Sequence, residues 1–138
     1  MVDDTDLKLL SILKENSRLS FADLGRQINL SPSSVRERVQ KMEEEGVIKK
    51  YSIQIDNKKI GYDLEAFILV KVFPGKLQYV IKKVKEFSGV ITAHRITGNQ
   101  NIHLKVVIQN QESLQKLLDK LMQFGDTNTF LILSEIES

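Results

Sequence analysis

A chain of 138 residues with no cysteine holds one ordinary domain or two small ones, and it excludes disulfides, thiolate catalysis and cysteine-ligated zinc. No apolar run approaches ~18 residues, so no membrane span is expected; the acidic opening (Asp3, Asp4, Asp6) lacks the apolar core of a secretory leader, and a cytoplasmic location is the default expectation. The 20 basic and 18 acidic side chains leave a net charge of +2, too balanced to argue for nucleic acid by itself, yet the segment from Arg18 to Lys41 is locally basic.

In chain order, Asp3-Asp4-Thr5-Asp6 suits the positive end of a helix dipole and supplies caps, and Leu9, Leu10 and Leu13 give that helix its buried stripe. Asn16-Ser17-Arg18 ends it. Ser20 caps a second helix, with Asp23 in the capping-box place; Phe21, Leu24 and Ile28 are its core face, and Gly25 permits close approach to a neighbour. Asn29-Leu30-Ser31 is a turn short enough to force the next helix across this one.

Ser31 to Gly46 reads as one helix with both ends marked. Ser31 accepts from a first-turn amide, Pro32 suits the first helical position, and Gly46 closes the end in the left-handed conformation. Val35, Val39 and Met42 form an apolar stripe. Opposite it lie Ser33, Glu37 and Gln40, flanked by Ser34, Arg36, Arg38 and Lys41. Helix, tight turn and polar-faced second helix make a helix-turn-helix. Val47–Asp56 follows as an expected strand, alternating from Tyr51 onward, and residues 57–63 read as a linker.

The second half alternates: strand Leu64–Phe73 stopped by Pro74-Gly75, helix Leu77–Phe87, strand Val90–Thr97, turn Gly98–Asn101, strand Ile102–Ile108, helix Ser113–Phe124, strand Thr127–Ile136. The order β-α-β-β-α-β describes a ferredoxin-like sandwich. The expected fold is α+β: an N-terminal winged helix-turn-helix domain over residues 1–50, a strand and hinge linker over 51–63, and a ferredoxin-like oligomerisation and effector domain over 64–138. Two helices cover one sheet face, and the apolar residues left on the other predict a second copy of the chain against it.

Ser33, Ser34, Arg36, Glu37, Gln40 and Lys41 carry the hydroxyl, amide and charged groups that read base edges and grip phosphates. Arg38 serves either DNA or a salt bridge to an acid on a neighbouring helix. Ser20 and Ser31 sit at helix starts suited to phosphate. Arg18, Lys49 and Lys50 add backbone contacts from the flanks, or the two lysines merely blunt a strand. His94 and His103 are the only histidines, better suited to structural or pocket-lining roles than to metal. No phosphate loop, nucleophile elbow or metal-binding helix motif is present, so no cofactor and no catalysis are expected.

The chain resembles the Lrp/AsnC, or feast/famine, transcription regulators. The residues that carry the likeness are Asp6–Leu13, the turn into Leu30-Ser31-Pro32-Ser33, Arg36–Val39, Met42–Ile48, Tyr51, Gly61-Tyr62 and Thr97-Gly98. The resemblance implies a homodimer, commonly built into tetramers or octamers, that presents two recognition helices to double-stranded DNA. It also implies an effector amino acid bound near Thr97, Gly98, Asn99, Gln100 and Asn101. That turn usually reads Gly-Asp-x-Asp; here both carboxylates are amides, which supply no countercharge for an ammonium group. Another ligand, weak binding and no effector all stay open. The expected function is sequence-specific regulation of transcription at a pseudo-palindromic operator, in the cytoplasm and associated with the nucleoid. The alternatives are an architectural nucleoid-like protein of weak sequence preference, or a metabolite-sensing ferredoxin-like module.

Overall fold

The computed structural model describes residues 1–137. The chain divides into two compact units, Met1–Gln54 and Ile55–Ser138, each built around its own apolar core.

The first unit is three helices, α1 (Asp4–Glu15), α2 (Phe21–Ile28) and α3 (Pro32–Glu44). Each start is capped by the residue the sequence marks. Asp3 accepts from the Asp6 amide, Ser20 from the Asp23 amide and Ser31 from the Ser34 amide, and the first two caps are complete capping boxes. The stripes then meet: Leu9 and Leu13 of α1, Leu24 of α2, and Val35, Val39 and Met42 of α3 form the buried cluster. Asn29 takes the left-handed conformation (φ 58°) that ends α2. Gly25 sets the closeness of the turn, because a Cβ there would lie 2.2 Å from the Leu30 carbonyl oxygen. That glycine's own carbonyl accepts from the Leu30 amide at 3.0 Å.

The second unit has β1 (Leu64–Val72), α4 (Leu77–Lys83), β2 (Val90–Arg95), β3 (Ile102–Ile108), α5 (Gln111–Leu121) and β4 (Gly125–Leu131). The sheet order is β2-β3-β1-β4 with every pairing antiparallel, the arrangement expected of a ferredoxin-like sandwich. Alternation decides the faces. Ala66, Ile68, Val70, Ile102, Leu104 and Val106 point to one side, where Val80 and Val84 and the α5 residues Leu114, Leu117 and Leu121 cover them. The opposite face carries Phe67, paired across the sheet with Phe130, and both are exposed.

Several expected boundaries shift. The strand expected over Val47–Asp56 does not form. Alternation marks which side chains share a face, but a strand also needs a partner for its amides, and this segment pairs with no described strand. Instead, the Val47 and Ile48 amides both donate to the Met42 carbonyl, and Ile48 packs on the helical core. A 3-10 turn occupies Asn57–Ile60. The last strand ends at Leu131 rather than Ile136, because its partner β1 runs out: Leu131 pairs with Ala66 near the start of that strand. The helix expected over Leu77–Phe87 is α-helical only to Lys83 and finishes in a 3-10 turn, Val84–Glu86.

Candidate nucleic-acid interface

Burial of Val35, Val39 and Met42 fixes the rotation of α3. Ser33, Arg36, Glu37 and Gln40 follow at i, i+3, i+4 and i+7 on the far side, with Lys41 beside them, and all five are exposed. The side chains of Arg36, Glu37, Gln40 and Lys41 make no hydrogen bond or ion pair among the described residues. At the helix start three hydroxyls are linked: Ser31 Oγ lies 3.1 Å from Ser33 Oγ and donates to Ser34 Oγ at 2.9 Å. Beside them the first turn of α3 keeps only the Ser33 amide without a partner among the described residues, since Pro32 has none and the Ser34 and Val35 amides donate to Ser31; the positive end of the dipole lies there.

Arg38 stands apart from the other expected contacts. Its Nη1 lies 2.9 and 2.8 Å from the two carboxylate oxygens of Asp3 and 3.1 Å from Asp6 Oδ1. Asp6 is the one charged residue buried among those described, 8% exposed. The hydrogen bond from Arg38 holds the Asp3 carboxyl below the usual carboxylate range, helped by the Asp6 amide. Asp3 and then Asp6 push the guanidinium up in turn. Arg38 therefore ties α3 to the start of α1 through Nη1, the geometry of the salt-bridge alternative. In α2, Ser20 lowers the Asp23 carboxyl, with Arg26 paired to it from the next turn.

Arg18, Lys49 and Lys50 are exposed at the flanks of the first unit, as is Ser20. Tyr51 sits over a groove lined by Leu13, Leu24, Val39 and Glu43. Burial, then the Glu43 carboxylate, raises its phenol.

The turn at 97–101 divides into committed and uncommitted residues. Asn101 is tied down at three points: its amide donates to the Val70 carbonyl, its carbonyl accepts from Ile96, and its Oδ1 accepts from the Val72 amide at 2.7 Å, while its Nδ2 makes no hydrogen bond among the described residues. Gln100 Oε1 is buried without a partner among the described residues. Thr97, Gly98 and Asn99 are exposed. His94 and His103 lie directly opposite each other on β2 and β3, and the His103 ring packs on Phe67 with centroids 5.2 Å apart. No set of three or more metal-type side chains surrounds them among the described residues. Sequence reasoning missed that Asp3 and Asp6 serve the recognition helix, since their aspartates read as caps alone.

A helix-turn-helix with an unengaged polar stripe on its second helix, carried on the same chain as a ferredoxin-like sandwich, is the architecture of a two-domain DNA-binding transcription regulator. Comparison with known proteins agrees. A winged helix-turn-helix DNA-binding profile matches residues 2–49, and an Lrp/AsnC ligand binding domain profile matches residues 65–138. The chain is 32% identical to the transcriptional regulator LrpC of Bacillus subtilis over 137 residues, spanning 99% of this chain and 95% of that one. The LrpC structure superposes with a TM-score of 0.93, covering 100% and 99% of the two chains. The regulatory protein AsnC of Haemophilus influenzae is 34% identical, over 91% of this chain and 84% of its own. A Neisseria meningitidis regulator solved with L-Met shares 26% identity at a TM-score of 0.91, with coverages of 100% and 94%. The chain belongs to the Lrp/AsnC family of transcription regulators.

Proposed function

We propose that Ser33, Arg36, Glu37, Gln40 and Lys41 of α3 read base edges in the major groove. Ser20, Ser31, Ser34, Arg18, Lys49 and Lys50 hold the phosphates around it, and Arg38 sets the helix in position. The observation that carries this is the unengaged stripe on α3, held in one rotation by the buried stripe behind it. Arg pairs with guanine, Gln with adenine, and Glu accepts from cytosine.

Two copies join through the sheet face that exposes Phe67 and Phe130, with tetramers or octamers as further assemblies. The operator is then a pseudo-palindrome with half-sites about one helical turn apart or a multiple of it. The protein works in the cytoplasm on the nucleoid; no described helix is long and apolar enough to cross a membrane. The turn Thr97–Asn101 offers an effector only neutral groups, chiefly the unpartnered Gln100 oxygen and exposed Asn99.

Selection of bound duplexes from a random pool, with and without amino acids, tests this reading. A two-fold motif is expected, with affinity that falls steeply with salt. Arg36→Ala and Gln40→Ala each relax base preference by about 1–3 kcal/mol if their contacts are bidentate. A pool that enriches no motif would leave the architectural reading in its place.

A further inference from the structure

The second unit has a cleft that neither the DNA contacts nor the 97–101 turn uses. It opens between α5, the residues leading into β2 and the end of β3, with a volume of about 220 Å³. That is the far end of the β2–β3 hairpin from Gly98–Asn101, roughly 20 Å away by the length of β3. Val107, Ile108 and Leu117 are buried around it, and Phe87 and Tyr62 are half-buried beside them. Polar groups edge the same space: Ser88, Gln109, Ser113, Lys116 and Lys120.

The charge at this cleft is one-signed. Two lysines line it and no carboxylate does. Lys120 makes no ion pair among the described residues, and Lys116 has only an exposed contact with Glu112 at 3.6 Å, a weak surface pair that a better anion displaces. An occupant with a carboxylate meets two ammonium groups there, while one that also carries its own ammonium group finds no countercharge. The serine hydroxyls and the Gln109 amide are donors for a second, neutral oxygen beside the carboxylate. The apolar floor takes a short hydrocarbon body, and the volume falls below the ~300–1,000 Å³ of drug-sized sites.

From this geometry we propose that the cleft is a binding site for a small 2-oxo carboxylic acid with an apolar side chain. The proposal builds on the reading of this unit as the sensory domain and places a second ligand class at a second location.

Calorimetric titration of the full chain with 4-methyl-2-oxopentanoate and with L-leucine tests this, since the two differ only in the group on C2. Saturable binding of the oxo acid is expected, at least about tenfold tighter than the amino acid. The double variant Lys116→Ala/Lys120→Ala should weaken it about tenfold or more, the size expected for losing charge-assisted hydrogen bonds. Lys82→Ala/Lys85→Ala, outside the cleft, should leave it unchanged. Absence of saturable oxo-acid binding at millimolar concentration overturns the proposal. So does equal binding of L-leucine, indifference to the Lys116/Lys120 pair, or loss on Gln100→Ala in place of the lysine variant. The titration needs no DNA, so a wild-type chain that fails to bind duplex sinks the regulatory reading separately.

Discussion

The two units solve the problem of stability differently. In the first, six side chains from three helices make the entire described buried cluster, so order depends on directional contacts at the helix ends: Asp3, Ser20, Ser31, the left-handed Asn29 and the Arg38 clamp. In the second, twelve buried residues lie between a four-stranded sheet and two helices, and sheet ladders join its four strands. The contrast teaches that a small reading head can be held in shape by polar geometry, provided each polar group has a named partner. Caps and clamps are specific in direction, which is what a helix needs when its rotation decides which side chains face DNA.

Core truncation should break the contrast most visibly. Leu9→Ala and Leu104→Ala both remove fully buried side chains and cost about 2–5 kcal/mol each. Amide exchange followed by mass spectrometry should show the first unit near unfolding in Leu9→Ala, while the second keeps protected strands in Leu104→Ala. Equal residual protection in the two variants would erase the distinction.

Backbone closeness comes next. Gly25→Ala puts a methyl against the Leu30 carbonyl and should cost about 1–3 kcal/mol through overpacking. DNA affinity should drop with it, because the turn that sets α3 must move. Gly125→Ala, whose Cβ would lie 2.3 Å from the Lys71 carbonyl oxygen, should destabilise comparably with little direct effect on DNA contacts. Thermal melts paired with duplex titrations separate the two.

Cap removal is smaller. Ser31→Ala and Asn110→Ala each delete an N-cap acceptor at about 1 kcal/mol, yet only Ser31→Ala should also weaken DNA, since its hydroxyl network borders the reading face. The smallest effect is acid sensitivity. The Asp3 carboxyl titrates lower in the folded chain than unfolded, so its stabilisation is complete above about pH 4 and is lost as pH falls through the depressed folded value. Asp3→Asn should flatten that acid limb in the first unit's exchange profile, and a profile identical to wild type would remove Asp3 from the account.

Most of the architecture was legible because it rests on local pattern. Caps, the Asn29–Ser31 turn and the β-α-β-β-α-β order all lie within short stretches of chain. The segment 47–56 was misread because alternation encodes facing and is silent about pairing. Arg38 stayed ambiguous because its partners, Asp3 and Asp6, lie more than thirty residues away. At the 97–101 turn the loss of carboxylates was visible, but the use of Asn101 to bind the β1 backbone was not, since it needs the register of β1 against β3. The cleft beside α5 was invisible for the same reason: its walls come from residues scattered between Tyr62 and Lys120.

The separation of duties along α3 bears on how such a protein changes over generations. Arg36, Glu37, Gln40 and Lys41 hold nothing together within their own chain among the described residues, while Ser31, Arg38 and the valine stripe hold everything around them. Substitutions in the outer set should therefore carry little folding cost, and under the reading of DNA proposed above the operator can change with the scaffold untouched. The same partition marks a starting point for engineering: four outward positions form an alphabet that can be rewritten on an unchanged page.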